Sequence, residues 1–147
     1  MNTGKVRCLL LCLIATLAGC GSSPSRQQSE LLQLARQADR NYETGKFDLA
    51  RTQYEAVVAA NPKFVPGHVR LGVIAYHDGD SKAAQAHFEQ ASTLDPRNQQ
   101  AKYNLAMLHL NEVTMLLDDY ATSSPQAANR QHVLTLLGHL REFGARP

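Results

Sequence analysis

Histidine is the side chain of this sequence best suited to metal binding or acid–base chemistry, and it occurs six times. Two histidines one helical turn apart can hold one ion, but no pair has this spacing. His132 and His139 lie two helical turns apart, which is too far for one ion without a third ligand. The other four are scattered along the chain, at His68, His77, His87 and His109. We therefore predict no metal site.

Patterns used for phosphate binding or acyl transfer are also missing. No glycine-rich loop precedes a Lys-Ser or Lys-Thr pair, and no Gly-x-Ser-x-Gly segment occurs. Asp118 and Asp119 are the only adjacent acidic residues, and they fall near the end of a predicted helix, where the helix dipole disfavours negative charge. They are interpreted as a solvated surface or a partner contact. The chain is not expected to be an enzyme or to use a cofactor.

The charge balance argues against a nucleic-acid partner. The chain has 15 basic and 13 acidic residues, but Lys5 and Arg7 lie in a leader segment that is expected to be removed. The remainder is then close to neutral, and it has no basic stripe that could displace counterions from phosphates.

The leader is predicted to be a signal peptide over residues 1–19. Lys5 and Arg7 precede an apolar run from Cys8 to Ala18. As a helix, this run would cross only about half of a hydrocarbon core that is ~30 Å thick, so it is too short to span a membrane.

The leader ends in Leu17-Ala18-Gly19-Cys20, which resembles the lipobox of bacterial lipoproteins. The resemblance implies cleavage before Cys20, a diacylglyceryl thioether on its sulfur and acylation of its new amine, such as by palmitate. Gly21 after the cysteine implies anchoring in the outer membrane, facing the periplasm, in a host with two membranes. Ordinary secretion with cleavage after a small residue is the alternative. Residues 20–29 are expected to be a lipidated, flexible tether.

Residues 30–147 are predicted to form a helical domain because the sequence repeats with an offset of 34 residues. Six columns match: Ala38, Gly72 and Ala106; Gly45 and Gly79; Ala50 and Ala84; Tyr54 and Phe88; Val57 and Ala91; Pro62 and Pro96. In each copy a helix ends at a glycine suited to a left-handed turn, and a second helix ends before proline. Each copy is therefore predicted to be a helical hairpin in which a small residue lets the two helices approach.

This pattern resembles the tetratricopeptide repeat in residues 65–98 and, less fully, in residues 31–64. A third copy begins with Tyr103-Asn104-Leu105-Ala106 and then departs from the pattern. The resemblance implies an all-α, tetratricopeptide-like α-solenoid of about two full repeats, a partial third repeat and a C-terminal capping helix.

The departure in the third copy predicts two helices that differ from the repeat. Apolar residues keep helical spacing from about Asn98 to Ala121, which indicates one long helix. Ser124 and Pro125 are expected to open a last helix as its N-cap and first helical residue, and Gly144 to close it. These two helices are interpreted as a cap over the end of the stack.

In the resembled family, the first helices of successive repeats line a groove that receives peptides or helices. Carried over by repeat position, the lining is Ala35, Asp39 and Tyr42 from the first copy, Val69, Val73, Tyr76 and His77 from the second, and Tyr103, Met107, Leu110 and Asn111 from the third. Packing of some of these side chains against the cap is the alternative. Arg36, Arg70 and Asn104 resemble part of a clamp for a terminal carboxylate, but the other clamp positions lack Lys and Asn, so no clamp is predicted.

These resemblances imply a lipid-anchored adaptor that binds a protein or peptide in its groove. Small lipoproteins of this kind are accessory parts of pilus and secretion assembly systems, so we expect the chain to serve such an envelope machine. The alternatives are an adaptor for peptidoglycan hydrolases or synthases, a structural subunit of an outer-membrane assembly complex, and a regulator of a metal-dependent enzyme. The oligomeric state does not follow from the sequence.

Overall fold

The structure is a computed structural model that describes residues 24–144. The lipobox and the signal peptide lie outside the described residues. The chain divides into two compact units, residues 1–33 and residues 34–147, and the boundary between them falls within the first helix. In the described part of the first unit, Arg26 donates a hydrogen bond from Nε to Glu30 Oε1 at 3.0 Å, one helical turn away.

The described residues form six α-helices and contain no strand. The helices are α1 (Pro24–Glu43), α2 (Phe47–Ala60), α3 (Val65–His77), α4 (Ser81–Leu94), α5 (Gln99–Ser123) and α6 (Arg130–Gly144). The predicted all-α repeat architecture is therefore confirmed. None of the described helices combines the length and the apolar character needed to span a membrane.

Both predicted glycine turns are present, and they have the same hydrogen-bond pattern. Gly45 has a φ of +74° and Gly79 a φ of +80°, in the left-handed region that glycine adopts without strain. After α1, Lys46 N donates to Asn41 O at 2.8 Å; after α3, Asp80 N donates to Ala75 O at 2.9 Å. These bonds satisfy carbonyls left free at a helix end and reverse the chain into the second helix of each hairpin.

The hairpin of α3 and α4 depends on a close approach at Gly72. A Cβ atom added to Gly72 would lie 2.5 Å from Cε1 of Phe88, a distance that side chains do not tolerate. The Phe88 ring is 2% exposed and packs with Ala84 and Leu108. The predicted pairing of a small residue with an aromatic residue is confirmed here, and it fixes the position of the ring.

Three core clusters connect successive helices of the second unit. One joins α1, α2 and α3 and consists of Ala38, Ala50, Tyr54, Leu71 and Ile74. A second joins α3, α4 and α5 through Val69, Ala91 and Ala101. The third joins α4 to α5 through Ala84, Phe88 and Leu108. Every residue of these clusters lies after residue 33, so a chain that begins at Pro24 retains all of them.

The structure corrects the predicted start of the helical domain. Residues 24–29 were expected to be part of a flexible tether, but α1 begins at Pro24. Proline is favoured in the first turn of a helix, where its missing N–H has no intrahelical partner. The first turns are polar on every side, so they carry no apolar periodicity that could reveal a helix in the sequence.

The long fifth helix is confirmed, but the start of the last helix is corrected. Asn98 caps α5 by accepting a hydrogen bond from Ala101 N at 2.8 Å. Pro125 does not open α6. It lies in a turn that Ala127 N closes on Ser124 O at 3.1 Å, and α6 begins at Arg130. The φ of proline suits the second residue of a turn as well as the first residue of a helix, so the sequence permits both.

Helix α6 contacts the last part of α5. Arg130 Nε donates to Ala121 O at 3.0 Å, and Arg141 donates to Asp118 Oδ1 at 2.9 Å. Two residues that are 11 positions apart on α6 therefore bind α5 within a single turn.

A histidine pair connects the two helices of the second repeat. His68 Nε2 lies 2.9 Å from the Pro62 carbonyl oxygen, which can only accept, so this nitrogen carries the proton. His68 Nδ1 lies 3.5 Å from His87 Nδ1. Burial, followed by the neighbouring His68, lowers the pKa of His87 below its ordinary value of 6.5, and Glu55 opposes this shift.

Replacement of Gly72 by alanine is expected to lower the free energy of unfolding by about 1–2 kcal/mol. Overpacking against the buried ring costs about 1–3 kcal/mol, and the better helix propensity of alanine offsets up to about 1 kcal/mol. Urea denaturation measures the change. Gly138→Ala is the matched control, because nothing lies within 4 Å of a Cβ atom there. Gly138→Ala should raise the free energy of unfolding, because alanine favours the helix. Equal changes in the free energy of unfolding at Gly72 and Gly138 would contradict the close approach at Gly72.

Acid should destabilise the domain through His87. The folded chain resists protonation of His87, whereas the unfolded chain takes up the proton near pH 6.5. The contribution of this group to the free energy of unfolding should be constant well above that pH and should decline as the pH falls below it. Denaturation over a pH series measures the slope. His87→Gln should flatten the slope, and His132→Gln, at an exposed position, should leave it unchanged.

Candidate functional site

The candidate site is the surface formed by the first helices of the repeats, α1, α3 and α5, within the second unit. The structure places the predicted groove residues in several different environments. Ala35 and Val69 are buried at 5% and 3% exposure, so their side chains have no free surface for a partner. This corrects their prediction as groove residues. Repeat position alone overlooks the neighbouring helices, which cover both side chains.

Asp39 and Tyr42 belong to a polar cluster that the protein itself satisfies. Tyr54 donates its hydroxyl to Asp39 Oδ1 at 2.5 Å, and Arg70 Nε lies 3.8 Å from the same oxygen. The Arg70 guanidinium lies 4.5 Å from the centre of the Tyr42 ring. Burial, followed by the hydrogen bond to Asp39, raises the pKa of the Tyr54 phenol. The cluster holds α1, α2 and α3 together and presents one face of Tyr42 and Arg70.

Aromatic side chains continue this surface toward the glycine turns. The Phe47 ring meets the Tyr42 ring edge-on at 5.4 Å and stacks on His77 at 5.5 Å, measured between ring centres. Phe47 lies on α2 and was not among the predicted groove residues. It holds His77 in a fixed orientation, so His77 forms part of a packed edge.

The central feature of the site is an apolar cavity between α3 and α5 with a volume of about 90 Å³. It is lined by Val73, Tyr76, Phe88, Asn104, Met107 and Leu108. Sequence reasoning predicted Val73, Tyr76 and Met107 as groove residues, and the structure brings these three together. It missed Phe88, Leu108 and Asn104. Phe88 and Leu108 form the third core cluster, and the cavity lies against that cluster.

The two polar side chains in the cavity wall differ in how they are satisfied. Tyr76 Oη accepts a hydrogen bond from Asn111 Nδ2, which joins α3 to α5. Asn104 Nδ2 is buried and has no partner among the described residues. A buried donor without a partner costs about 1–3 kcal/mol of folding free energy. Protein interiors rarely contain such a group unless it serves another purpose.

Tyr103 and Leu110 border the cavity along α5. Tyr103 is 60% exposed and Tyr76 is 40% exposed, so both rings offer apolar area next to the cavity. Leu110 is half-buried. Large aromatic side chains with few rotatable bonds give contact area at a low entropic cost, which is why they often anchor protein partners.

Exposed apolar side chains also occur toward the C-terminal end of the domain. Met115 and Leu116 on α5 are 73% and 70% exposed, and Phe143 on α6 is 58% exposed. These side chains are therefore largely open to solvent.

In the described segment from 24 to 144, no three histidine, cysteine or carboxylate side chains come close enough to share a metal ion. The His68 and His87 pair lies at the junction of α3 and α4, and it does not line the apolar cavity. What the groove offers is apolar surface, which is suited to binding.

A comparison with known protein families matches the tetratricopeptide repeat at residues 35–84 and 78–114. The chain belongs to the tetratricopeptide repeat family. The match ends inside α5, where the expected glycine turn is missing and the helix continues. No curated protein matches the chain.

Tetratricopeptide repeats are generally non-enzymatic scaffolds that bind proteins or peptides. The family assignment therefore identifies the chain as a protein-interaction module. In such a module, the first helices of the repeats form the binding surface, which is where the apolar cavity lies.

Proposed function

We propose that this chain is a lipid-anchored tetratricopeptide adaptor that holds a segment of another envelope protein during the assembly of an envelope machine, such as a pilus or a secretion system. The observation that carries the proposal is the cavity between α3 and α5, bordered by exposed Tyr76 and Tyr103. An apolar recess with aromatic neighbours is a common composition of a binding site for a partner's side chain.

The membrane part of the proposal rests on the sequence. Cys20 follows Leu17-Ala18-Gly19 after a basic and then apolar leader. With two or three acyl chains, each contributing ~0.8 kcal/mol per buried methylene, attachment would be effectively permanent. The proposed location is the outer membrane on its periplasmic side. Attachment there would keep the adaptor close to machines that assemble across the envelope and raise the local concentration of its binding site.

The anchor is tested by fractionating cells that express the unsubstituted chain or Cys20→Ser. We expect the unsubstituted chain in the membrane fraction and the variant largely released from it, because serine cannot form the thioether. Metabolic labelling with a palmitate analogue should mark only the unsubstituted chain. Equal membrane association of both proteins would contradict a lipid anchor at Cys20. Gly138→Ala, which keeps the cysteine, is the control for expression of a substituted chain.

The groove is tested by photo-crosslinking in intact cells. A photoreactive residue at Tyr103 is expected to capture a pilus or secretion component, and the additional substitution Tyr76→Ala should weaken the capture. Glu89, which is exposed on α4, gives the matched control position. Capture of a peptidoglycan hydrolase or synthase at Tyr103 would favour the alternative machine. Capture only from Leu116 would move the interface to the C-terminal surface and contradict the groove.

A further inference from the structure

We propose that a polar cavity bordered by α2, α3 and α4 binds the guanidinium group of an arginine side chain on a partner protein. The cavity has a volume of about 280 Å³. It shares no wall residue with the apolar cavity between α3 and α5, so this inference goes beyond the proposed function and does not depend on the groove. The charged and polar side chains of its wall are Arg51, Glu55, Asp78, Asp80 and His87.

The charge of the wall favours a cation. Three carboxylates face a single cationic side chain, Arg51, which binds Asp78 and also lies 3.9 Å from an oxygen of Asp48. The positive charge of Arg51 is therefore already balanced. Asp80 uses Oδ1 to accept from a main-chain N–H of α4, and Glu55 has no hydrogen bond to another described residue. The carboxylates of Glu55 and Asp80 thus leave the cavity with net negative charge.

His87 adds an acceptor nitrogen to the wall. His68 carries its proton on Nε2, which donates to the Pro62 carbonyl, so Nδ1 of the neutral His68 ring is an acceptor. His87 Nδ1, 3.5 Å from that atom, is then the donor of a weak hydrogen bond, and Nε2 of the neutral His87 ring is left as an acceptor. Burial and the neighbouring His68 lower the pKa of His87, so the ring is neutral at pH 7.

These acceptors suit a guanidinium better than a metal ion or an ammonium. Within residues 24–144, no three histidine, cysteine or carboxylate side chains are placed to share a metal ion. A guanidinium has five N–H donors in one plane, whereas an ammonium has three donors and is more strongly hydrated. The rest of the wall is apolar and can pack against the methylenes of an arginine side chain; it consists of Leu71, Ala75 and Ala83.

The volume of the cavity suits a single side chain. A cavity of about 150 Å³ holds a benzene ring, and pockets for drug-sized ligands begin near about 300 Å³. At about 280 Å³, the cavity admits a guanidinium together with its aliphatic stem. Because the chain is a protein-interaction module, we assign the guanidinium to an arginine of a partner protein. A free small guanidinium compound is the other source of the same chemistry.

The test uses the full chain, purified in an uncharged detergent, with the imidazole carbons of its histidines labelled for NMR. The probe is the peptide acetyl-Gly-Gly-Arg-Gly-Gly-amide. Citrulline in place of arginine keeps the shape of the side chain and removes its charge, and lysine replaces the guanidinium by an ammonium. The guanidinium ion alone tests the other source. His132, which is exposed on α6, gives the reference signal.

We expect the arginine peptide to shift the ring signals of His87 and to leave those of His132 unchanged. It should bind at least about tenfold more tightly than the citrulline peptide, and more weakly as the salt concentration rises. Equal binding of the citrulline peptide, or no shift of His87 with any probe, would overturn the inference. Binding of the lysine peptide as tight as that of the arginine peptide would overturn the choice of guanidinium, and tighter binding of the free ion would overturn its assignment to a side chain.

Two variants with opposite expected effects separate a binding role from a structural one. Glu55→Gln keeps the shape of an exposed side chain and removes its charge, so it should weaken binding of the arginine peptide about tenfold. Arg51→Gln removes the competing cation and frees Asp78, so it should strengthen binding severalfold. Both are measured at a temperature at which circular dichroism shows each variant to be folded. Weaker binding to Arg51→Gln would overturn the assignment of a cation.

Glu89→Gln is the matched control. Glu89 is exposed on α4 and does not line the cavity, and its substitution changes the net charge by the same amount as Glu55→Gln. It should leave binding of the arginine peptide unchanged, and a loss equal to that of Glu55→Gln would overturn the site. If crosslinking at Tyr103 succeeds but the arginine peptide does not shift His87, this inference fails and the proposed function stands. If the crosslinking fails and His87 still shifts, the groove is wrong and this inference stands.

Discussion

Helices α3 and α4 approach until the ring of Phe88 occupies the space that a side chain at Gly72 would need. This contact sets the distance between the two helices of the second repeat and fixes the ring against Ala84 and Leu108. The other side of the ring is a wall of the apolar cavity. The depth of the cavity therefore depends on the absence of a Cβ methyl group at Gly72, although Gly72 itself does not line the cavity. Close-packed interiors transmit such a constraint because they leave little room for a side chain to relax.

The groove contains satisfied and unsatisfied polar groups at different places. Asp39, Tyr54 and Arg70 bind one another, so the first repeat has a preformed polar face that needs no partner. Tyr76 and Asn111 connect α3 to α5 and hold the cavity at its edge. Asn104 alone keeps a buried donor free in the cavity wall.

The third repeat shows how the array ends. A longer α5 replaces the expected turn, and Arg130 and Arg141 of α6 bind its last part. This arrangement buries Leu137 and Ala121 but leaves Met115 and Leu116 exposed. Terminal repeats usually hide the apolar end of a stack, and here the cover is partial. The two exposed surfaces, groove and C-terminal end, give the adaptor two places at which a partner could dock, and the crosslinking positions separate them.

The sequence by itself determined the features that depend on neighbours along the chain. Gly45 and Gly79, the prolines after α2 and α4, and the apolar periodicity of α5 act through local backbone geometry, so the repeat, its turns and the long helix could be predicted. The lipobox at Cys20 is likewise a feature of the sequence alone.

Tertiary structure decided what depends on contacts between helices. Pro125 suits a turn and a helix start equally, and only the contact of Arg130 with α5 shows where α6 begins. Ala35 and Val69 share the spacing of groove residues, but packing against neighbouring helices buries them. His68 and His87 are 19 positions apart and meet only because α3 and α4 pack together. Whether a side chain such as that of Asn104 has a hydrogen-bond partner is likewise decided by residues distant in the sequence, which spacing along one helix does not report.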